Sequence, residues 1–164
     1  MSGVSGVTLR PARAGEAAAL SALAFASKSH WPYTAAQLAL WPDDLSLSEA
    51  DVQDGTVSVA ELPGQAAPAG WMRLLPAPPA MPDPWVLEHF WVAPAAMGQG
   101  VGKALLAQAV ALARAGGASA LSIDADPYAE AFYLAQGAQR VGVVAAPLEA
   151  QLERVRPQLL LALG

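Results

Sequence analysis

Apolar and polar residues alternate in several short stretches of this chain, and other stretches carry a helical period. Val7-Thr8-Leu9-Arg10 alternates and stops at Pro11, which predicts a short strand. Glu16 to Ser27 is rich in alanine and leucine without a breaker, which predicts a helix by propensity. Pro32 ends any continuation. Thr34-Ala-Ala-Gln37 has capping-box spacing and opens a second short helix through about Leu40; Ser46-Leu-Ser-Glu49 has the same spacing and predicts a brief helical turn. Thr56 to Leu62 alternates as a half-buried strand, Pro63-Gly64 turns the chain, and Ala69 to Leu75 reads as the hairpin partner. Trp85 to Val92 is a β-type run closed by Pro94. Val101 to Arg114 is an unbroken helix with apolar positions 101, 105, 109 and 112 on one face, stopped by Gly116-Gly117. Ala120 to Ala125 reads as a strand. Asp126-Pro127 predicts an N-cap followed by proline at the first helical position, for a helix running to Gln136 and stopped by Gly137. Gln139 to Val144 and Gln158 to Leu163 read as the last two strands.

The resulting order is β-α-α-β-β-β-α-β-α-β-β, an α/β (α+β) chain of about seven strands and about four helices. With 164 residues and no second composition regime, one domain over 1–164 is expected. The strand–helix–strand unit from Trp85 to Ile123 predicts a parallel pair, because a helical crossover joins parallel neighbours. Between Leu75 and Pro84 stand five prolines (Pro76, Pro78, Pro79, Pro82 and Pro84), which predict a stiff surface loop.

Composition narrows the chemistry. The absence of cysteine excludes disulfides, thiolate metal sites and a cysteine nucleophile, and two histidines make a histidine-based metal site an unpromising reading, so no metal is expected. The net charge of −5 lacks the basic footprint of a nucleic-acid binder. No apolar run is long enough to span a bilayer, and Met1 to Arg10 shows no secretory pattern, so a soluble cytoplasmic protein with neither nucleic-acid nor membrane partner is expected. Charge is uneven. From Trp41 to Glu61 there are six acids (Asp43, Asp44, Glu49, Asp51, Asp54 and Glu61) and no base, whereas His89 to Ile123 has no acid, only Lys103 and Arg114. Two ligand environments of opposite sign would produce this, and so would solvated faces in an alanine-rich chain.

The acid-free stretch contains Met97-Gly98-Gln99-Gly100-Val101-Gly102-Lys103, a glycine-rich loop between a strand and a helix. Free N–H groups and the positive end of the helix dipole favour an anion there, and glycines let a phosphate approach the backbone. The loop is not a Walker sequence, since Met97 stands where the first glycine belongs and alanine follows Lys103. It is not the dinucleotide fingerprint either, since no third glycine falls at the required position.

Leu87-Glu-His-Phe-Trp-Val-Ala-Pro94 followed by Gly98-Gln-Gly-Val-Gly-Lys-Ala-Leu-Leu106 resembles the acyl-CoA-binding core of the GNAT N-acetyltransferase superfamily. The likeness continues through Leu121-Ser-Ile-Asp-Ala-Asp126 to Ala131-Phe-Tyr133 and Gly137, and the element order is similar to the family's fold. It is strongest from Trp85 to Val144. Met97 departs from the Arg or Gln usual at that place, and Ala138 from the usual Phe. Ser27-Lys-Ser-His-Trp-Pro-Tyr33 is more faintly similar to a segment of some bacterial members, with Pro32 replacing glycine.

The resemblance implies direct transfer of an acetyl group from acetyl-CoA, as cosubstrate, to a primary amine on a small molecule or peptide. A non-catalytic acyl-CoA-binding or sensing module on the same fold is the alternative. Tyr133 would protonate the leaving thiolate. Glu88, on the strand before the loop, would be the base, directly or through water. Strand alternation points His89 the other way, toward a structural role. Backbone groups of Phe90, Trp91 and Val92 would meet the pantetheine arm. Gly98, Gln99, Gly100, Val101, Gly102 and Lys103 would hold the pyrophosphate, and Asp126 occupies a position where many members touch CoA. Lys28, His30, Trp31 and Tyr33 would line the acceptor site. Homodimers are common in the family, so a second copy is an expected partner.

Overall fold

The computed structural model describes residues 6–41, 45–81, 83–148 and 151–163. Asp43 and Asp44 of the acidic stretch, Pro82 of the proline loop and residues 1–5 lie outside them. The chain forms two compact units, Met1–Leu74 with His89–Gln108, and Leu75–Glu88 with Ala109–Gly164.

In the first unit, β1 (Thr8–Pro11) pairs antiparallel with β2 (Val57–Glu61), which pairs antiparallel with β3 (Gly70–Leu75) in the hairpin expected from the alternation. Helix α1 (Ala17–Ser29) packs Leu20 and Ala24 with Val57, Val59 and Trp71 into an apolar cluster. The Trp71 indole is fully buried, and its N–H donates to the Leu20 carbonyl at 2.8 Å. Helix α2 (Ala35–Leu38) opens with the expected capping box between Thr34 and Gln37.

The box expected at Ser46 and Glu49 is displaced by two residues. Ser48 caps α3 (Glu49–Gln53), its hydroxyl accepting the Asp51 N–H at 3.1 Å while Asp51 accepts the Ser48 N–H at 3.2 Å. Glu49 is thereby free to satisfy a different helix: its carboxylate accepts the N–H groups of Gly15 at 2.7 Å and Ala17 at 2.9 Å. Ala17 is one of the donors that the start of α1 leaves without an intrahelical partner, and Gly15 stands one residue before the Glu16 N-cap. A capping pattern in the sequence cannot distinguish an acid that serves its own helix from one that serves another.

The Gly15 and Ala17 donors hold the Glu49 carboxyl below its ordinary range, and the Arg10 guanidinium does the same for Glu16 at 2.7 Å. A carboxyl depressed in the folded state contributes stability above the unfolded value of about 4.3 and loses it as pH falls through the folded value. Denaturant unfolding at pH 7, 5 and 3 is therefore expected to show stability falling toward acid. Glu49→Gln is expected to be less stable at pH 7 and to have a flatter acid dependence; parallel pH curves would remove Glu49 from this role.

In the second unit, β4 (Trp85–Val92) contributes Trp85 to Leu87 to a parallel ladder with β5 (Ala120–Asp124), and β5 pairs antiparallel with β7 (Val155–Ala162), which pairs antiparallel with β6 (Gln139–Ala145). The parallel pair is the one the crossover implied. β7 begins three residues earlier than expected because Val155, Arg156 and Pro157 also pair with β6. All seven strands form one mixed sheet in the order β1-β2-β3-β4-β5-β7-β6. The crossover helix α4 (Val101–Ala115) buries Val101, Leu105, Ala109 and Ala113. Leu112, placed on that face by periodicity, is 40% exposed.

Asp126 does not cap a helix. Its carboxylate accepts the Tyr128 N–H at 2.9 Å and its carbonyl the Ala129 N–H at 2.9 Å, which closes a turn. Helix α5 (Glu130–Ala135) starts only after it, with no side-chain cap at Ala129. Aspartate bonding the backbone two residues on is a turn former as readily as a cap. The proline loop is tied down at its end: Asp83 accepts the Ser119 N–H at 2.6 Å, the Ser119 hydroxyl at 2.7 Å and the Ala120 N–H at 3.1 Å.

Candidate active site

The glycine loop lies where the sequence places it, following a short 3-10 turn at Pro94–Ala96 and ending in α4. Gly98 and Gly100 have φ of +81° and +86°, a left-handed conformation that favours glycine, and a Cβ at Gly98 would meet nothing within 4 Å. The backbone there is bare and open. The first-turn N–H groups of α4 have no partner inside the helix, and its first bond of this kind runs from the Ala104 N–H to the Gly100 carbonyl at 3.0 Å. With no acid between residues 89 and 123, the loop suits an anion such as a pyrophosphate. Lys103 is exposed beside it. Gln99 offers less than expected, because its amide already donates to the Ala95 carbonyl at 3.1 Å and its backbone N–H is what remains.

Close packing sets the loop against the sheet. A Cβ on Gly70 would stand 2.7 Å from the Trp91 carbonyl oxygen, 3.0 Å from Val101 and 3.2 Å from Leu105. Gly70 therefore lets β3 meet both β4 and the head of α4. Nothing in the sequence of Ala69 to Leu75 marked it, since only the neighbouring elements make the position tight.

The same contact corrects one expectation. The Trp91 carbonyl lies against Gly70, and the Ala93 N–H donates to the Ala69 carbonyl at 2.8 Å, so the main chain of these residues turns toward β3. Trp91 is thus not open to a pantetheine arm; by strand alternation Phe90 and Val92 turn to the opposite edge. β4 runs on to Val92, five residues past its last partner Leu87 on β5.

Glu88, the base candidate on β4, is exposed and follows the buried Leu87. His89 packs its ring 5.1 Å from Trp71 and accepts the Trp91 indole N–H on Nδ1 at 3.1 Å, a structural role as expected. Tyr133 is buried on α5. Burial first, and the charge of Asp126 second, push its phenol well above the ordinary tyrosine value, so it keeps its proton at any physiological pH. Asp126, expected at CoA, stands 4.0 Å from Arg154 and acts on Tyr133 through its field.

The acceptor-site candidates divide. Lys28 is buried at the end of α1, its ammonium 4.9 Å from the Tyr33 ring centroid and 4.6 Å from that of Trp41. The two rings meet edge-on at 5.1 Å, so they form an aromatic corner around the cation. His30 is exposed and touches Trp31 edge-on at 4.9 Å. Trp41 is the member that the sequence does not mark, because nine residues of turn and helix separate it from Trp31.

The sequence model of the acetyltransferase (GNAT) family matches residues 22–138. The chain belongs to this family. As a GNAT protein it shares its fold with a GCN5-related N-acetyltransferase from Rhodopseudomonas palustris, at TM-score 0.76 and 24% identity over 96% of each chain. The PaiA N-acetyltransferase of Thermoplasma acidophilum, solved with coenzyme A, gives TM-score 0.74 at 13% identity over 99% of both chains. The ribosomal-protein-S18-alanine N-acetyltransferase of Escherichia coli gives 0.68 at 15% identity over 96% of this chain and 94% of that one. A search of curated proteins found no match. Among the described residues no helix is long and apolar enough to cross a membrane, and no cluster of three metal-ligating side chains occurs.

Proposed function

We propose that this GNAT protein transfers the acetyl group of acetyl-CoA directly to a primary amine. The glycine loop carries the reading: a bare backbone with two left-handed glycines, the first-turn N–H groups of a 15-residue helix, which have no partner inside it, and an exposed lysine, in a stretch free of acids, fits the pyrophosphate of CoA. Gly98 to Lys103 hold that pyrophosphate, largely through N–H groups because Met97 supplies no charged or amide side chain. Phe90 and Val92 offer main-chain groups to the pantetheine arm.

The amine nitrogen attacks the thioester carbonyl. A C–N bond forms, the C–S bond breaks, and CoA leaves as a thiolate. Glu88, exposed on β4, takes the proton lost by the amine. Tyr133 gives its phenolic proton to the sulfur. With no cysteine in the chain, an acetyl-cysteine intermediate is unavailable, and direct transfer is the simpler route.

Calorimetry with acetyl-CoA, followed by thiol release over a panel of amines, tests this. Saturable binding below about 1 mM together with amine-dependent thiol release is expected. Absence of binding at that concentration sinks the proposal. Binding without release from any amine identifies the non-catalytic acyl-CoA module instead.

A further inference from the structure

The strands of the second unit present two unlike faces. Leu87, Ile123 and Leu159 oppose one another across β4, β5 and β7, and all three are buried. The other face is open. There Val86 opposes Ser122, Asp124 opposes Gln158, and Gln158 opposes Gly142 on β6. Val86 is 40% exposed, and the side chains of Asp124 and Arg156 are 45% and 43% exposed. Glu88 follows Val86 by two residues on β4, on the same face by alternation.

Two donors on alternate residues of β7 are unsatisfied on this face. Arg156 Nε and Gln158 Nε2 are out of reach of water and have no hydrogen-bond partner. Buried donors are nearly always paired, so two adjacent orphans call for an explanation. Asp124 anchors one arm of the guanidinium, with Oδ2 at 3.2 Å from Arg156 Nη2, and leaves the rest of the fork uncommitted. Beside Gln158, a Cβ on Gly142 would meet nothing within 4 Å, so the neighbouring strand leaves room.

We propose that Arg156 and Gln158 hold the carboxylate of the acceptor, which makes the acceptor an amino acid. This rests on the transferase reading, in which Glu88 takes the amine proton. An arginine fork matches the two oxygens of a carboxylate, and a small turn of either side chain brings its orphaned N–H to the open face. Neither donor has a protein hydrogen bond to surrender. The two carboxylates, Glu88 and Asp124, attract the ammonium end and disfavour a doubly charged phosphate. One face thus complements both ends of a zwitterion.

The test compares the twenty amino acids with their carboxamides in acetyl-CoA thiol release. Separately, calorimetry without CoA measures binding of the N-acetyl amino acids, which are the products. The best acid is expected to exceed its amide at least about tenfold in kcat/KM, as loss of a charge-assisted hydrogen bond implies. Arg156→Gln is expected to bring that ratio near one through KM. Gln158→Leu is expected to weaken product binding while leaving Tm unchanged or raised, because it removes an unpaired buried donor. Amides that serve as well as acids, or an Arg156→Gln variant that lowers both alike, overturn the proposal. If no amine is acetylated the transferase reading fails alone, and the binding arm decides here: product binding lost in Arg156→Gln supports the carboxylate site, and no product binding overturns it.

Discussion

Replacing Tyr133 with phenylalanine is expected to lower kcat by about 10²- to 10⁴-fold, the range for removing a general acid. Binding of acetyl-CoA is expected to stay unchanged, because in the proposed mechanism the phenol acts on the sulfur only as the C–S bond breaks. The ring remains, so its packing, including the edge-on contact with Phe132 at 5.3 Å, is preserved. The pH profile supplies a second check. Burial and Asp126 hold the phenol above the ordinary tyrosine value, so Tyr133 keeps its proton and contributes no alkaline limb to kcat below about pH 10. Single-turnover thiol release across pH 6 to 10, in wild type and variant, measures both. An unchanged rate in Tyr133→Phe would mean that the sulfur takes its proton from another donor or from water.

The largest loss of stability is expected from Trp71→Ala, at about 3–5 kcal/mol. Trp71 is fully buried, meets Leu20 and Ala24 of α1 through the core cluster, and supports the His89 ring. Domains of this size have only about 5–15 kcal/mol in total, so the variant would stand near the edge of folding. Trp71→Phe keeps much of the apolar area and gives up the indole N–H bond to the Leu20 carbonyl, so a smaller loss of about 1–2 kcal/mol is expected. Urea titration of the three proteins measures the series. A loss under about 1 kcal/mol in Trp71→Ala would show that α1 does not depend on this anchor.

Much of the architecture is legible in the chain because local physics specifies it. Alternation marks β2, the Pro63-Gly64 turn marks β3 as its hairpin partner, and capping chemistry marks α2. The crossover between Trp85 and Ile123 requires a parallel pair. The glycine loop is legible for the same reason: bare backbone at the head of a helix is a local property, and so is its fitness for an anion. Two carboxylates act otherwise than expected. Glu49 spans to α1 instead of capping its own helix, and Asp126 closes a turn instead of starting a helix. Glu49 finds donors more than thirty residues away, which sequence spacing does not encode, whereas Asp126 bonds the backbone two residues on, a local pattern that a turn and a helix cap share.

What the sequence alone determined is therefore the order of the elements and the resemblance to acyl-CoA-binding proteins, and it nominated the glycine loop, Glu88 and Tyr133 as candidates for an anion cradle, a base and a phenolic acid. The tertiary structure decided which of them are available. It turned the Trp91 main chain against Gly70, tied the Gln99 side chain to Ala95, and brought Trp41 to the ammonium of Lys28. It also put Asp124 and Gln158 opposite each other on an open sheet face, with unpaired donors on β7. Helix and strand periods are set by neighbours within about four residues. Steric access and hydrogen-bond saturation are set by chain segments tens of residues away, and only folding brings those together.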